Sequence, residues 1–232
     1  MARSKGEINR AGGLLRGWHA DTDLGGKDLS DLDDAYRALA EFRAGFSYPL
    51  TKVAMGLRSM VSCESDSVRV GQRLKREPQI INKLVRQPGM LLARMEDIGG
   101  CRAVLPSPAA MTGVENRIRK RWEVLRYRDY VEDPKASGYR AVHLVTERDG
   151  KRIEVQLRTE GQQDWADAVE SFAARYKLPL KDESGPDPVL EFFRIAGEGI
   201  YCDEYLLPLP DDFGSRYREA ERAVEDWIQS VD

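Results

Sequence analysis

Nothing in this 232-residue chain approaches the ~18 consecutive apolar residues that a membrane-spanning helix needs, and its first residues do not form an apolar leader. Three cysteines, Cys63, Cys101 and Cys202, are odd in number and far apart, which fits neither a disulfide framework nor a zinc-ligand spacing. A reducing, cytoplasmic setting away from membranes is therefore expected. No G-x-x-x-x-G-K-[ST] loop is present, so any triphosphate has to be held mainly by arginine and lysine side chains. No internal repeat is visible.

The chain does contain 41% apolar and 32% charged residues, the composition of a water-soluble globular protein able to bury a core. Its net charge of −3 hides local separation. From Asp21 to Glu41 there are seven acids and two bases, and from Pro208 to Asp232 seven acids and three bases. Between these ends, Asp66–Arg86 has six bases against two acids, and Arg117–Arg128 six against one. Basic central stretches between acidic ends fit a site for phosphates, or solvated helix faces.

Residues 1–27 are Gly-rich and polar around Leu14, Leu15 and Trp18, and are expected to form a flexible N-terminal arm. Ser30 is positioned to cap a helix over 31–46, and Pro49 suits the first turn of another, ending near Ser62. Residues 66–70 read as a short strand. Helices are expected from Pro78 to the Pro88-Gly89 break and from Ser107-Pro108 to about Trp122, with strands over 98–105 and 123–131. Thr159 and Gln162 form a capping box for a helix through Lys177, and a Pro/Gly-rich linker over 182–188 leads to helices at 189–204 and 214–230. Helices interleaved with a central mixed β-sheet predict an α/β (α+β) fold.

The sharpest local signal is Asp149-Gly150, a type I′ turn between strands 139–148 and 151–158. A two-residue turn sets the register, with Val145 opposite Glu154 and His143 opposite Gln156. Alternation then gives Val142, Leu144, Ile153, Val155 and Leu157 one face, the core. Tyr139, His143, Glu154, Gln156 and Arg158 share the other face, either a polar site or a solvated sheet surface. Asp97 precedes the strand at 98–105; were that strand beside the hairpin, Asp97 and Glu154 could share a hard cation such as Mg²⁺. Arg73, Lys75 and Lys83 are spaced to line one groove beside it.

Three blocks in order resemble the synthetase domain of the RelA/SpoT family. These are Arg73-x-Lys75-x-x-x-Gln79-Ile80-x-x-Lys83, then Asp97-Ile98-Gly99-Gly100-Cys101-Arg102-Ala103-Val104. The third runs from Asp129-Tyr130 through Pro134-Lys135 and Gly138-Tyr139-Arg140-Ala141-Val142-His143 to Glu154-Val155-Gln156-Leu157-Arg158-Thr159. The likeness covers about residues 66–177. It implies a nucleotidyltransferase-like fold and an Mg²⁺-dependent pyrophosphokinase that moves the diphosphate of ATP to the 3′-hydroxyl of GDP or GTP, making (p)ppGpp. It further implies Asp97 and Glu154 as metal carboxylates, Glu154 also as activator of the acceptor hydroxyl. Arg73, Lys75 and Lys83 would cradle the ATP phosphates, and Arg102 would pack on adenine. Lys135, Tyr139 and His143 would hold the acceptor, with Tyr139 stacking on its base, and Gln156 and Arg158 would support them.

One departure from the family pattern is Gln79, where serine is usual. With only His19 and His143 present, the histidine-rich hydrolase half of the long family members is not expected. The domain plan is an arm at 1–27, a synthetase domain at 28–181 and C-terminal helices at 182–232. Some small relatives act instead as toxins, paired with a neutralising antitoxin, that modify the 3′ end of tRNA or make adenosine alarmones. The basic run 117–128, with Trp122 and Tyr127 interleaved, is the feature that could track RNA. A non-catalytic nucleotide-binding protein is the reading from another class. Self-association could use the apolar stripe of Tyr217, Ala220, Val224, Trp227 and Ile228.

Overall fold

The computed structural model describes residues 3–20, 28–180 and 183–231; residues 1, 2 and 21–27 of the expected arm, residue 182 of the expected linker and residue 232 lie outside these. Three helices come first: α1 (Lys5–Ala20), α2 (Leu29–Ala44) and α3 (Ser47–Val61). There follow β1 (Arg69–Leu74), α4 (Glu77–Arg86), a 3₁₀ turn (Leu92–Arg94), β2 (Gly99–Leu105), α5 (Pro108–Arg121), β3 (Val124–Asp129), β4 (Val142–Arg148) and β5 (Lys151–Thr159). The chain closes with α6 (Glu160–Tyr176), α7 (Asp187–Glu204) and α8 (Phe213–Val231).

The hairpin forms as its turn residues dictate. Asp149 and Gly150 take φ of 51° and 70°, as a type I′ turn needs, and Val145 faces Glu154 while His143 faces Gln156. Its first strand begins at Val142, so Tyr139–Ala141 lie outside the ladder rather than within it. The sheet has order β1-β2-β5-β4-β3, with β2 and β5 parallel and the remaining pairs antiparallel. That parallel pair sets the strand after Asp97 beside the strand bearing Glu154. One sheet face, with Cys101, Ala103, Leu105, Leu144, Ile153, Val155 and Leu157, is buried in the core with residues of α3 and α5.

Three further expectations need correction. The expected arm is, over Lys5–Ala20, a helix with Ile8, Ala11 and Leu15 buried against α2, α4 and the 3₁₀ turn. Its Gly12 is what lets it dock, because a Cβ there would come within 2.7 Å of Leu92 Cβ. The first strand starts at Arg69 rather than 66, since Ser65 and Ser67 close a hydrogen-bonded bend just before it. Asp28, not Ser30, caps α2, accepting from the Ser30 amide at 2.8 Å.

The last helices build a second apolar cluster with α6, from Trp165, Val169, Leu180, Val189, Phe193 and Val224. Trp227 and Ile228 pack against it, so much of the α8 stripe is covered by the chain's own helices.

Candidate active site

Strand register alone arranges the other face of the sheet. Across β1, β2, β5, β4 and β3, one row reads Arg73, Gly100, Glu154, Val145, Arg126. The next reads Gly71, Arg102, Gln156, His143, Arg128. Glu154 thus sits at mid-sheet with arginines toward both edges.

Two cavities open on this face. One, of about 240 Å³, is bordered by Arg73, Lys75, Arg102, Gly71, Gly100 and Gln156. The other, of about 390 Å³, is bordered by Lys83, Arg94, Glu96, Arg126, Arg128, Tyr130, His143 and Arg152. Asp97 and Glu154 border both, and no other lining residue is shared. Gly100 matters to the first cavity because any side chain there would project into it from the sheet floor.

The two carboxylates are held differently. Asp97 Oδ2 accepts from Lys75 Nζ and Lys83 Nζ, each at 2.9 Å. Burial pushes this carboxyl up, and the two ammonium groups more than reverse that, leaving it below the usual carboxylate range. Its Oδ1 is buried with no hydrogen-bond partner. Glu154 Oε1 lies 3.1 Å from His143 Nδ1, and its Oε2 accepts from Gln156 Nε2 at 2.8 Å. Burial raises Glu154 as well, but His143 and Gln156 bring it below its ordinary value despite repulsion from Asp97.

A directional chain stands behind Glu154. Arg158 Nη2 donates to the Tyr139 hydroxyl at 3.0 Å, and that hydroxyl lies 2.6 Å from His143 Nε2. An ionised Glu154 can only accept, so the facing His143 Nδ1 carries a proton, and in the neutral ring Nε2 is then the acceptor for the Tyr139 hydroxyl. Arg158 is itself anchored through Nη1 to Gln163 Oε1 at 3.0 Å. Burial pushes the Tyr139 hydroxyl pKa up.

An orphaned carboxylate oxygen beside a second carboxylate is a hard-donor set that fits Mg²⁺, which takes few protein carboxylates and completes its shell with water and phosphate. Asp97 and Glu154 are the residues that could hold it.

Of the residues singled out in the sequence, Arg73, Lys75, Arg102 and Gln156 border the first cavity. Lys83 and His143 border the second, with both carboxylates between. Tyr139 borders neither; its ring is wedged among Tyr130, His143 and Trp165 at centroid distances of 5.9, 5.7 and 6.2 Å. Arg158 is buried beneath it. Lys135 is exposed, with Nζ 5.5 Å from the rings of Tyr130 and Tyr139. Gln79 is exposed on α4 and borders neither cavity. Arg126, Arg128, Tyr130 and Arg152 were missed. The two-residue alternation that put His143 on this face extends across to Arg126 and Arg128 and could have found them. In the basic run 117–128, Arg117 pairs with Glu64 at 2.6 Å, Arg119 with Glu115 at 3.1 Å and Arg126 with Glu96 at 2.9 Å. Much of its charge is thus neutralised within the fold.

Among the described residues no helix is long and apolar enough to cross a membrane. Residues 72–180 match the model of the region found in RelA/SpoT proteins. The GTP pyrophosphokinase YwaC of Bacillus subtilis is 27% identical over 151 residues, covering 58% of this chain and 70% of that protein. A GTP pyrophosphokinase family protein from Streptococcus pneumoniae shares the fold with a TM-score of 0.60 at 22% identity, over 72% of this chain and 89% of that one. Small alarmone synthetase 1 of Bacillus subtilis, bound to its product pppGpp, does so with a TM-score of 0.56 at 23% identity, over 72% and 94%. The three sequence blocks, the mixed sheet and the paired carboxylates agree with that match, and over residues 72–180 this chain is similar to the synthetase domain of the RelA/SpoT family.

Proposed function

We propose that this chain transfers the β,γ-diphosphate of ATP to the 3′-hydroxyl of GDP or GTP, forming (p)ppGpp and AMP. The observation that carries the reading is the pair of basic cavities divided by Asp97 and Glu154 alone. Such a partition suits two nucleotides whose reacting atoms meet at the divide. The first cavity takes ATP, with Arg73 and Lys75 on its phosphates and Arg102 packed on adenine. The second takes the acceptor, with Arg126, Arg128 and Arg152 toward its phosphates and the Tyr130 ring offering the base an aromatic surface. Tyr139, held by Arg158 and His143, serves here as support for Glu154.

In the reaction the acceptor 3′-oxygen forms a bond to the β-phosphorus while the bond from that phosphorus to the bridging α–β oxygen breaks. AMP leaves with that oxygen, and the hydroxyl proton passes to a Glu154 carboxylate oxygen. His143 and Gln156 fix the direction of that carboxylate. Lys75 and Lys83 keep Asp97 ionised and add positive charge where the phosphates gather. Asp97 and Glu154 would hold magnesium, whose charge would offset that of the phosphate oxygens.

The test uses γ-labelled ATP offered with GDP, GTP, ATP or deacylated tRNA in turn, for the native chain and Glu154→Gln. Label on GDP or GTP, lost in the variant, is expected. Label on tRNA alone would replace this reading with a translation-blocking one, and no label on any acceptor would favour a nucleotide-binding protein.

A further inference from the structure

Glu96, the residue before Asp97, also borders the second cavity. Its carboxylate is divided between two arginines, Oε2 pairing with Arg126 Nη1 at 2.9 Å and Oε1 with Arg152 Nη1 at 2.8 Å. Those arginines come from β3 and β5, with β4 between them. The Glu96 side chain is only 16% exposed, while Arg126 and Arg152 are 57% and 48% exposed. A sunken acid therefore gathers two outward-facing guanidinium groups over the cavity wall. The other two acids there are engaged elsewhere, Asp97 by lysines and Glu154 by His143 and Gln156.

Each of the two ion pairs uses one terminal nitrogen of its arginine. A diphosphate would recruit such groups better than one shared carboxylate can, because it carries more negative charge and enough oxygens to meet both guanidinium forks at once. We infer that Glu96 is an internal stand-in for the acceptor's 5′-phosphates, an affinity-setting residue that keeps Arg126 and Arg152 gathered at the cavity wall and competes with the acceptor for them. This rests on the assignment of the second cavity to the acceptor. Acceptor affinity is then a difference between two claims on the same arginines, and removing the negative charge of Glu96 strengthens binding. The first cavity includes none of Glu96, Arg126 or Arg152, so ATP binding is insulated from the change.

The experiment is calorimetric binding of GDP, GTP and a non-hydrolysable ATP analogue to the full chain and to Glu96→Gln and Glu96→Ala. Glutamine keeps an oxygen for one arginine, and alanine removes the contact altogether. Both variants are expected to tighten GDP and GTP by roughly three- to tenfold, the scale of one partly solvated charge contact, with the ATP analogue unchanged. Unchanged or weaker GDP and GTP binding, or equal tightening of the ATP analogue, would overturn the inference. Transfer of label from ATP to GDP by the native chain is followed alongside. A chain that binds GDP, tightens on Glu96→Gln and yet transfers no diphosphate would sink the diphosphokinase reading while leaving the role of Glu96 intact.

Discussion

Gly138 joins the loop carrying Lys135 to Tyr139, and replacing it with alanine should separate acceptor binding from ATP binding. The residue sits at φ 87°, where an L side chain is strained. Its Cβ would lie 2.8 Å from Arg194 Cα and 3.1 Å from the backbone oxygens of both Phe193 and Arg194. These are main-chain atoms of α7 and cannot rotate aside, so the loop has to lift or α7 has to shift. Strain plus lost packing comes to about 2–3 kcal/mol, or a melting temperature lower by roughly 5–10 °C for a chain of this size. The displacement reaches the site because Gly138 donates to Lys135 O at 2.8 Å and Lys135 to Tyr139 O at 3.2 Å. Moving Tyr139 disturbs its contact with His143 and its packing on the Tyr130 ring, and His143 and Tyr130 border only the second cavity. We therefore expect the KM for GDP to rise about tenfold or more and kcat to fall, with the KM for ATP nearly unchanged. Steady-state transfer at varied GDP and saturating ATP, run beside thermal melting, reads both effects. A native melting temperature with native GDP kinetics, or equal damage to both substrates, would refute the reasoning.

Leu15→Ala should cost about 3 kcal/mol in denaturant unfolding, since Leu15 on α1 is fully buried; a loss under about 1 kcal/mol would mean that α1 adds little to the core. In chelator-treated protein, Glu154→Gln should flatten the loss of stability on acidification. Glu154 is depressed in the fold, so its contribution is complete above the unfolded value of about 4.3 and disappears as pH falls through the lower folded one. An unchanged acid limb would count against that depression. Neutralising Arg117, Arg119 and Arg121 together should leave transfer to GDP within about twofold, as none of them borders either cavity; selective loss of transfer would reopen an RNA-tracking role for that run.

What the sequence made legible was local. Asp149-Gly150 fixed a register, and the register fixed which residues share a face with Glu154, because both follow from chemistry within a few residues. The Thr159–Gln162 capping box was legible for the same reason. The nearness of Asp97 to Glu154 was not, since it depends on the parallel pairing of β2 with β5, strands separated in sequence by α5, β3 and β4. Only the family resemblance pointed there. The docking of α1 was hidden by its glycines, which suggest a loose segment when read alone. In the fold, Gly12 is the close-contact point against Leu92. Tyr139 shows the reverse case: its motif implied a stacking platform, and the fold adds what the motif did not hold, a hydroxyl bonded to Arg158 and His143 and a ring that borders neither cavity.

The central claim is that a diphosphate moves as one unit between two cavities that meet at Asp97 and Glu154. Parallel reactions with α-labelled and γ-labelled ATP and GDP test it most directly. The account predicts that α-label ends in AMP while γ-label ends in the guanosine product, and that Asp97→Asn and Glu154→Gln abolish both. Recovery of the α-label in ADP, with γ-label as a single phosphate on the acceptor or in solution, would contradict it.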